Sequence, residues 1–373
     1  MPHRTSPAGP ASMARRARAR AAARRCAPAA AACLLALGLA SAAPASVPRG
    51  DPAARLPEGA LAGESWDLVA RFESGHVLMA SLLLTNTGVG GRIAVAAGQI
   101  VTPDGTAHVF SRSERAGGWR LEDGGRRIDL HSIVLDPGAA PRRFVVDKNE
   151  IGIEVAIEAR GAPAWPEPDV APGCGLDVLE VAGPATGSFR APGTERAVPL
   201  RGLAALTHRW APGLEVDCLR RGVELFAMQD RLGVYFRESE TPAGGRHAWL
   251  LVQRDGRTLF AGAPDASEVV WRAGSTPGYP EPARVSFAAP GVAGRVAFGA
   301  PLGSFEPLSR LPAALRAAME LRTRPRLAWS APRVDLEVGG RALRAGALAK
   351  LAWTNPLPDA PAGAAVPGVG GGE

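Results

Sequence analysis

The chain has 373 residues, with 43 basic and 36 acidic side chains, a length that allows two ordinary domains. The basic excess is not spread evenly: residues 1–45 hold seven arginines and no acidic residue, which leaves 36 basic against 36 acidic side chains in the remainder. A body with no net charge gives no ground for a nucleic-acid partner, and that class is excluded.

The arginine-rich start is followed by an apolar run over residues 29–40 and by Ala43-Pro44-Ala45, a small-residue exit. This order predicts a signal peptide over residues 1–45 and export to the periplasm or the medium. The run is too short for a permanent membrane helix. Residues 46–62 then read as a flexible linker. Residues 354–373, rich in Pro, Ala and Gly, read as a disordered tail. Two cysteines remain after processing, Cys174 and Cys218. In an oxidising compartment they form either one disulfide or two buried thiols.

From residue 64 to the 350s apolar residues recur with a period of two. Trp66, Leu68, Ala70 and Phe72 alternate with polar or small neighbours before the turn Glu73-Ser74-Gly75. Residues 77–84 suit a strand buried on both faces. Residues 93–101 and 107–110 are the arms of a hairpin about Pro103-Asp104-Gly105. Further strands are predicted at 119–121, 128–135, 144–146 and 151–157. Residues 161–175, with four prolines and three glycines, read as a long loop, and 176–181 and 186–190 as closing strands. The second half repeats the style, with strands at 223–228, 233–238, 247–253, 257–260, 269–272, 284–287 and 295–298. A short helix over 312–321 is stopped by Pro325, and strands at 334–338 and 343–353 end the fold. The predicted fold is all-β: two antiparallel β-barrels packed together, residues 63–190 and 191–353, with one short C-terminal helix.

No phosphate loop, nucleophile elbow or zinc-ligand spacing occurs, so neither cofactor nor metal is expected. The stretch most suited to chemistry is Thr207-His208-Arg209-Trp210. In a strand, His208 and Trp210 project from the same face, a titratable ring beside an aromatic wall. Asp67 could face a cavity, but an exposed strand carboxylate is the commoner outcome. Downstream lie Glu224 to Asp230, a strand running into a turn, and Tyr279-Pro280 ahead of another strand.

These features together resemble the carotenoid hydratase (hydroxyneurosporene synthase) and AttH-like group, proteins built from two lipocalin-like β-barrels. Glu64-Ser65-Trp66-Asp67 followed by Ser74-Gly75-His76 is similar to the first barrel of that group and of the yeast survival-factor-like proteins. The resemblance implies an apolar cavity for a lipid or isoprenoid, with His208 and Trp210 on site positions. Phe226, Trp66, Met79 and Tyr279 are candidate lining residues. Alkene hydration needs a proton donor and a stabilised carbocation. The group usually places an aspartate directly before the histidine, where this chain has Thr207. Asp230, Asp217 or Glu224 could substitute as the acid. The departure favours a ligand-binding protein over a hydratase- or cyclase-like enzyme. The expected partner is a hydrophobic small molecule, and association with a membrane surface would suit its carrier.

Overall fold

The computed structural model describes residues 48–59, 61–86, 91–159, 164–311 and 313–357. The signal-peptide reading of residues 1–45 lies outside them, as do residues 358–373 of the expected tail.

The first sheet has twelve strands. β1 (Gly63–Phe72), β2 (Val77–Asn86), β3 (Arg92–Val101) and β4 (Ala107–Glu114) form one meander. β5 (Arg120–Glu122), β6 (Arg127–Asp129), β7 (Ile133–Asp136), β8 (Arg142–Lys148) and β9 (Ile151–Ile157) form another. β10 (Trp165–Ala171), β11 (Cys174–Arg190) and β12 (Val198–Ala211) follow. The order is β4-β3-β2-β1-β12-β11-β9-β8-β7-β6-β5, with β10 against β11.

The second sheet starts after α1 (Glu215–Cys218) with β13 (Arg221–Gln229), β14 (Leu232–Glu240), β15 (Arg246–Arg254) and β16 (Arg257–Gly262). β17 (Ala266–Thr276), β18 (Tyr279–Ala289) and β19 (Val292–Ala297) come next. β20 (Gly303–Phe305), α2 (Ala313–Glu320), β21 (Arg326–Ser330), β22 (Arg333–Val338) and β23 (Arg341–Trp353) complete it. Its order is β16-β15-β14-β13-β23-β22-β19-β18-β17, with β21 also on β23 and β20 on β21. Each sheet pairs its first strand with its last, β1 with β12 and β13 with β23, so one plan is used twice. The all-β, two-part architecture is the one predicted.

The period of two sorts side chains into three apolar layers. Leu68, Leu82, Leu206, Phe110 and Phe189 fill the first sheet's concave side, and Val234, Phe236, Leu250 and Phe287 the second's. Alternate residues on the same strands, including Val69, Met79, Ala205, Phe226, Tyr235 and Leu348, pack the two sheets together. The β2 run is therefore buried on both faces, Leu78 inward and Met79 outward.

Three boundaries differ from the sequence reading. β12 belongs to the first sheet, so the halves divide after Ala211 and not at residue 190, because a strand's partner 130 or more residues away leaves no mark in local pattern. The Pro- and Gly-rich 161–175 stretch is no simple loop, since Trp165–Ala171 pairs with β11 despite its prolines. Thr354 is buried and its hydroxyl donates to the Leu219 carbonyl at 2.8 Å, so the chain stays packed past Trp353. Cys174 and Cys218 form a disulfide, Cα atoms 5.9 Å apart, joining the start of β11 to the end of α1.

Candidate functional site

β1 and β12 run antiparallel, with Trp66 opposite His208 and Glu64 opposite Trp210. All four side chains therefore leave the concave face together. The His208 ring is stacked on Trp66 with centroids 4.4 Å apart and tilted against Trp210 at 5.4 Å. His208 Nε2 lies 2.7 Å from Glu64 Oε1, and both residues are almost wholly buried. Glu64 also accepts the backbone N–H groups of Arg55 and Leu56 at 2.6 and 2.8 Å. Glu64 thus has three groups within hydrogen-bond reach, two backbone N–H groups and the His208 ring. His208 Nδ1 and Trp66 Nε1 are buried without a hydrogen-bond partner among the described residues.

The segment expected as a flexible linker covers this cluster. Ala54 and Leu56 pack against the first core. Arg49 and Arg55 both reach Asp177, a fully buried carboxylate opposite His208 on β11, at 2.9 Å. Their guanidinium groups lie 4.9 and 3.8 Å from the centroid of the Trp210 ring, close enough for cation–π attraction. The indole lies over Gly175, where an added Cβ would come within 2.1 Å of its Cζ2. Gly175→Ala should accordingly push Trp210 from its seat and destabilise the protein by about 1–3 kcal/mol. A lowered urea midpoint and a shifted tryptophan emission maximum would register it.

The opposite face of the same strands carries a different arrangement. Asp67, beside Trp66 in sequence, is buried between the sheets and not exposed as the sequence reading favoured. It accepts from Lys350 Nζ at 2.5 Å and from Ser81 Oγ at 2.6 Å, and lies 3.9 Å from the Arg209 guanidinium. Arg209 also pairs with Glu224, and with Glu215 at 3.0 Å. Beyond it the Tyr235 hydroxyl donates to Glu224 at 3.4 Å, and Arg237 pairs with Glu167 at 3.1 Å. Burial alone would raise the Asp67 carboxyl, but Lys350 and Arg209 outweigh it and hold that carboxyl below its ordinary value. For Glu167 burial wins over Arg237, and its carboxyl is raised.

A cavity of about 170 Å³ opens above this charged floor. Its walls are the outward residues Leu83, Val95 and Ala97 of β2 and β3, facing Phe305, Leu308 and Leu327 of the second half. Met319 of α2 and Pro325 close one side. Glu64 and Trp210 border it at the end nearest the histidine cluster.

Of the residues predicted for one site, the structure brings together His208, Trp210 and Trp66. It separates the rest. Met79 and Phe226 lie in the packed layer between the sheets, because odd positions of β2 and even positions of β13 face that way. Tyr279 donates to the Arg324 carbonyl at 2.8 Å and lines a different cavity of about 310 Å³ with Trp353 and Arg326. Asp230 sits in the exposed β13–β14 turn with φ 48°, the left-handed geometry Asp tolerates, whereas His208 is buried in β12. Thr207 faces away from His208, as strand alternation requires. Neither Asp217, exposed in α1, nor Glu224, on the far face, serves the histidine; Glu64 does. Glu64, Asp177, Arg209 and Lys350 were not singled out in the sequence. Glu64 and Arg209 stood inside motifs that the sequence did offer, and Lys350 is one of only two lysines in an arginine-rich chain.

No protein-family model and no curated protein sequence matches the chain. Solved structures do. CghA, solved with Sch210972, superposes with TM-score 0.57 at 14% identity over 79% of this chain and 89% of its own. An AttH-assigned protein from Nitrosomonas europaea gives 0.57 at 10% identity, covering 80% and 94%. Kievitone hydratase from Nectria haematococca gives 0.51 at 8%, covering 84% and 94%. This chain thus has the AttH-like, carotenoid-hydratase-type double lipocalin fold.

Proposed function

We propose that the protein is an exported carrier that holds an apolar small molecule, a lipid or isoprenoid, in the cleft between its two sheets. The observation that carries the reading is the cavity itself, with apolar walls from both halves over a few buried polar groups, the usual composition of a ligand site. Its size sets a limit. A cavity of about 150 Å³ takes one benzene, so this cleft accommodates a ring or a short branched chain, and the rest of a longer ligand lies at its open side. The Cys174–Cys218 disulfide supports an oxidising destination. That CghA was solved with Sch210972 supports ligand binding in this fold.

The test is an organic extract of protein purified from the periplasm, analysed by mass spectrometry. A single apolar compound in near-stoichiometric amount is expected, and its loss in Val95→Trp, where an indole fills the cleft. An extract with no apolar compound, from protein that also binds none when offered, would end the carrier reading.

A second reading, a hydratase-like enzyme, is favoured by the Glu64–His208 pair and by the fold of kievitone hydratase. It requires oxygen from labelled water to enter an isoprenoid alkene, and Glu64→Gln to abolish that incorporation. Against it, the segment over residues 49–56 seals the pair from the concave side.

A further inference from the structure

We infer that the floor of the cleft selects an uncharged, oxygen-bearing apolar ligand, such as an alcohol or ketone, over both a hydrocarbon and a carboxylate. This rests on the cleft being the ligand site, and concerns what the site prefers. Lys350 projects from β23 toward the first sheet, its side chain only 4% exposed, and lines the cavity. An ammonium group has three N–H donors, and Asp67 takes one of them. Arg209 lines the same end. Asp67 holds Lys350 at 2.5 Å and lies 3.9 Å from the Arg209 guanidinium, so both cations stand at one carboxylate. Buried donors without acceptors are costly, and a ligand oxygen beside Lys350 gives its remaining N–H groups an acceptor. A hydrocarbon leaves them unmet.

Charge decides against a carboxylate. Lys350 and Arg209 already face Asp67, Glu224 and Glu215. Three acidic groups against two basic ones leave no positive charge over, so an incoming carboxylate would be buried without compensation. A neutral acceptor takes the hydrogen bonds with no such cost.

Geraniol, geranic acid and myrcene share a ten-carbon isoprenoid skeleton and differ at the polar end, which makes them suitable probes. Each would be titrated at neutral pH against protein loaded with uncharged N-phenylnaphthylamine. Geraniol is expected to displace the dye with a dissociation constant at least about tenfold below those of myrcene and geranic acid, the value of a hydrogen bond to a charged donor. Lys350→Met removes the cation bonded to Asp67, so the Asp67→Leu/Lys350→Met pair is the variant to compare. It should lose the preference for geraniol over myrcene. Geranic acid binding as tightly as geraniol, or a geraniol preference that survives the double change, would overturn the selectivity while leaving the carrier intact. Failure of the dye and of all three compounds to bind the wild type would overturn the carrier reading, and this inference with it.

Discussion

Asp67→Leu is expected to lower the stability of the protein by about 3–5 kcal/mol, the cost of stranding one member of a buried ion pair. Lys350 would lose its hydrogen-bonded counter-charge between the sheets, and Ser81 its acceptor. The Asp67→Leu/Lys350→Met double change removes both charges, and should cost much less than the two single changes summed. Urea unfolding of the four proteins measures the coupling. Additive losses would mean that the two residues do not depend on each other. Acid gives a second readout of the same pair. The Asp67 carboxyl ionises more readily in the folded protein than its ordinary value of 3.8. Its contribution is therefore complete above that pH and fades as the pH falls through the depressed value. As the pH falls below about 3.8, the wild type should lose stability that the double variant does not have to lose.

Replacing Cys174 and Cys218 together by alanine should cost about 4 kcal/mol on the loop-entropy account, given a 44-residue separation. The link ties β11 of the first sheet to α1, the only connection leading into the second. The loss should appear as a lower urea midpoint, and reductant should lower the wild type to the same value while leaving the variant unchanged. A midpoint insensitive to reductant would contradict it. Leu219 and Arg220 directly follow α1 and accept hydrogen bonds from Thr354, which lines the cleft, so loosening α1 also frees one side of the cleft.

Much of the fold was legible because a half-buried strand writes its own period into the sequence. Trp66, Leu68, Ala70 and Phe72 alternate, and all four are buried in the first core. His208 and Trp210 share a face for the same reason. What local pattern does not carry is which strand lies beside which. Glu64 reaches His208 across 144 residues, and Lys350 reaches Asp67 across 283. An acid for the histidine sought among nearby residues could not have included Glu64. The same blindness to pairing put Met79 and Phe226 with Trp66, although β2 and β13 turn them to the layer between the sheets. Residues 48–56 read as linker because their proline, glycine and arginine composition has no period, yet Arg49 and Arg55 are held by Asp177 and Trp210. Rarity was a neglected clue. A lysine kept where arginine is the rule deserved a role, and Lys350 proves to be buried.

Where the ligand sits is the point on which the account turns, and photolabelling reads it directly. A small apolar diazirine, irradiated on the intact protein and mapped by peptide mass spectrometry, should mark Leu83, Val95, Phe305 and Leu308, drawn from both halves around the cleft. Labels on Phe110, Phe144 and Phe189 instead would put the ligand inside the first barrel and contradict it.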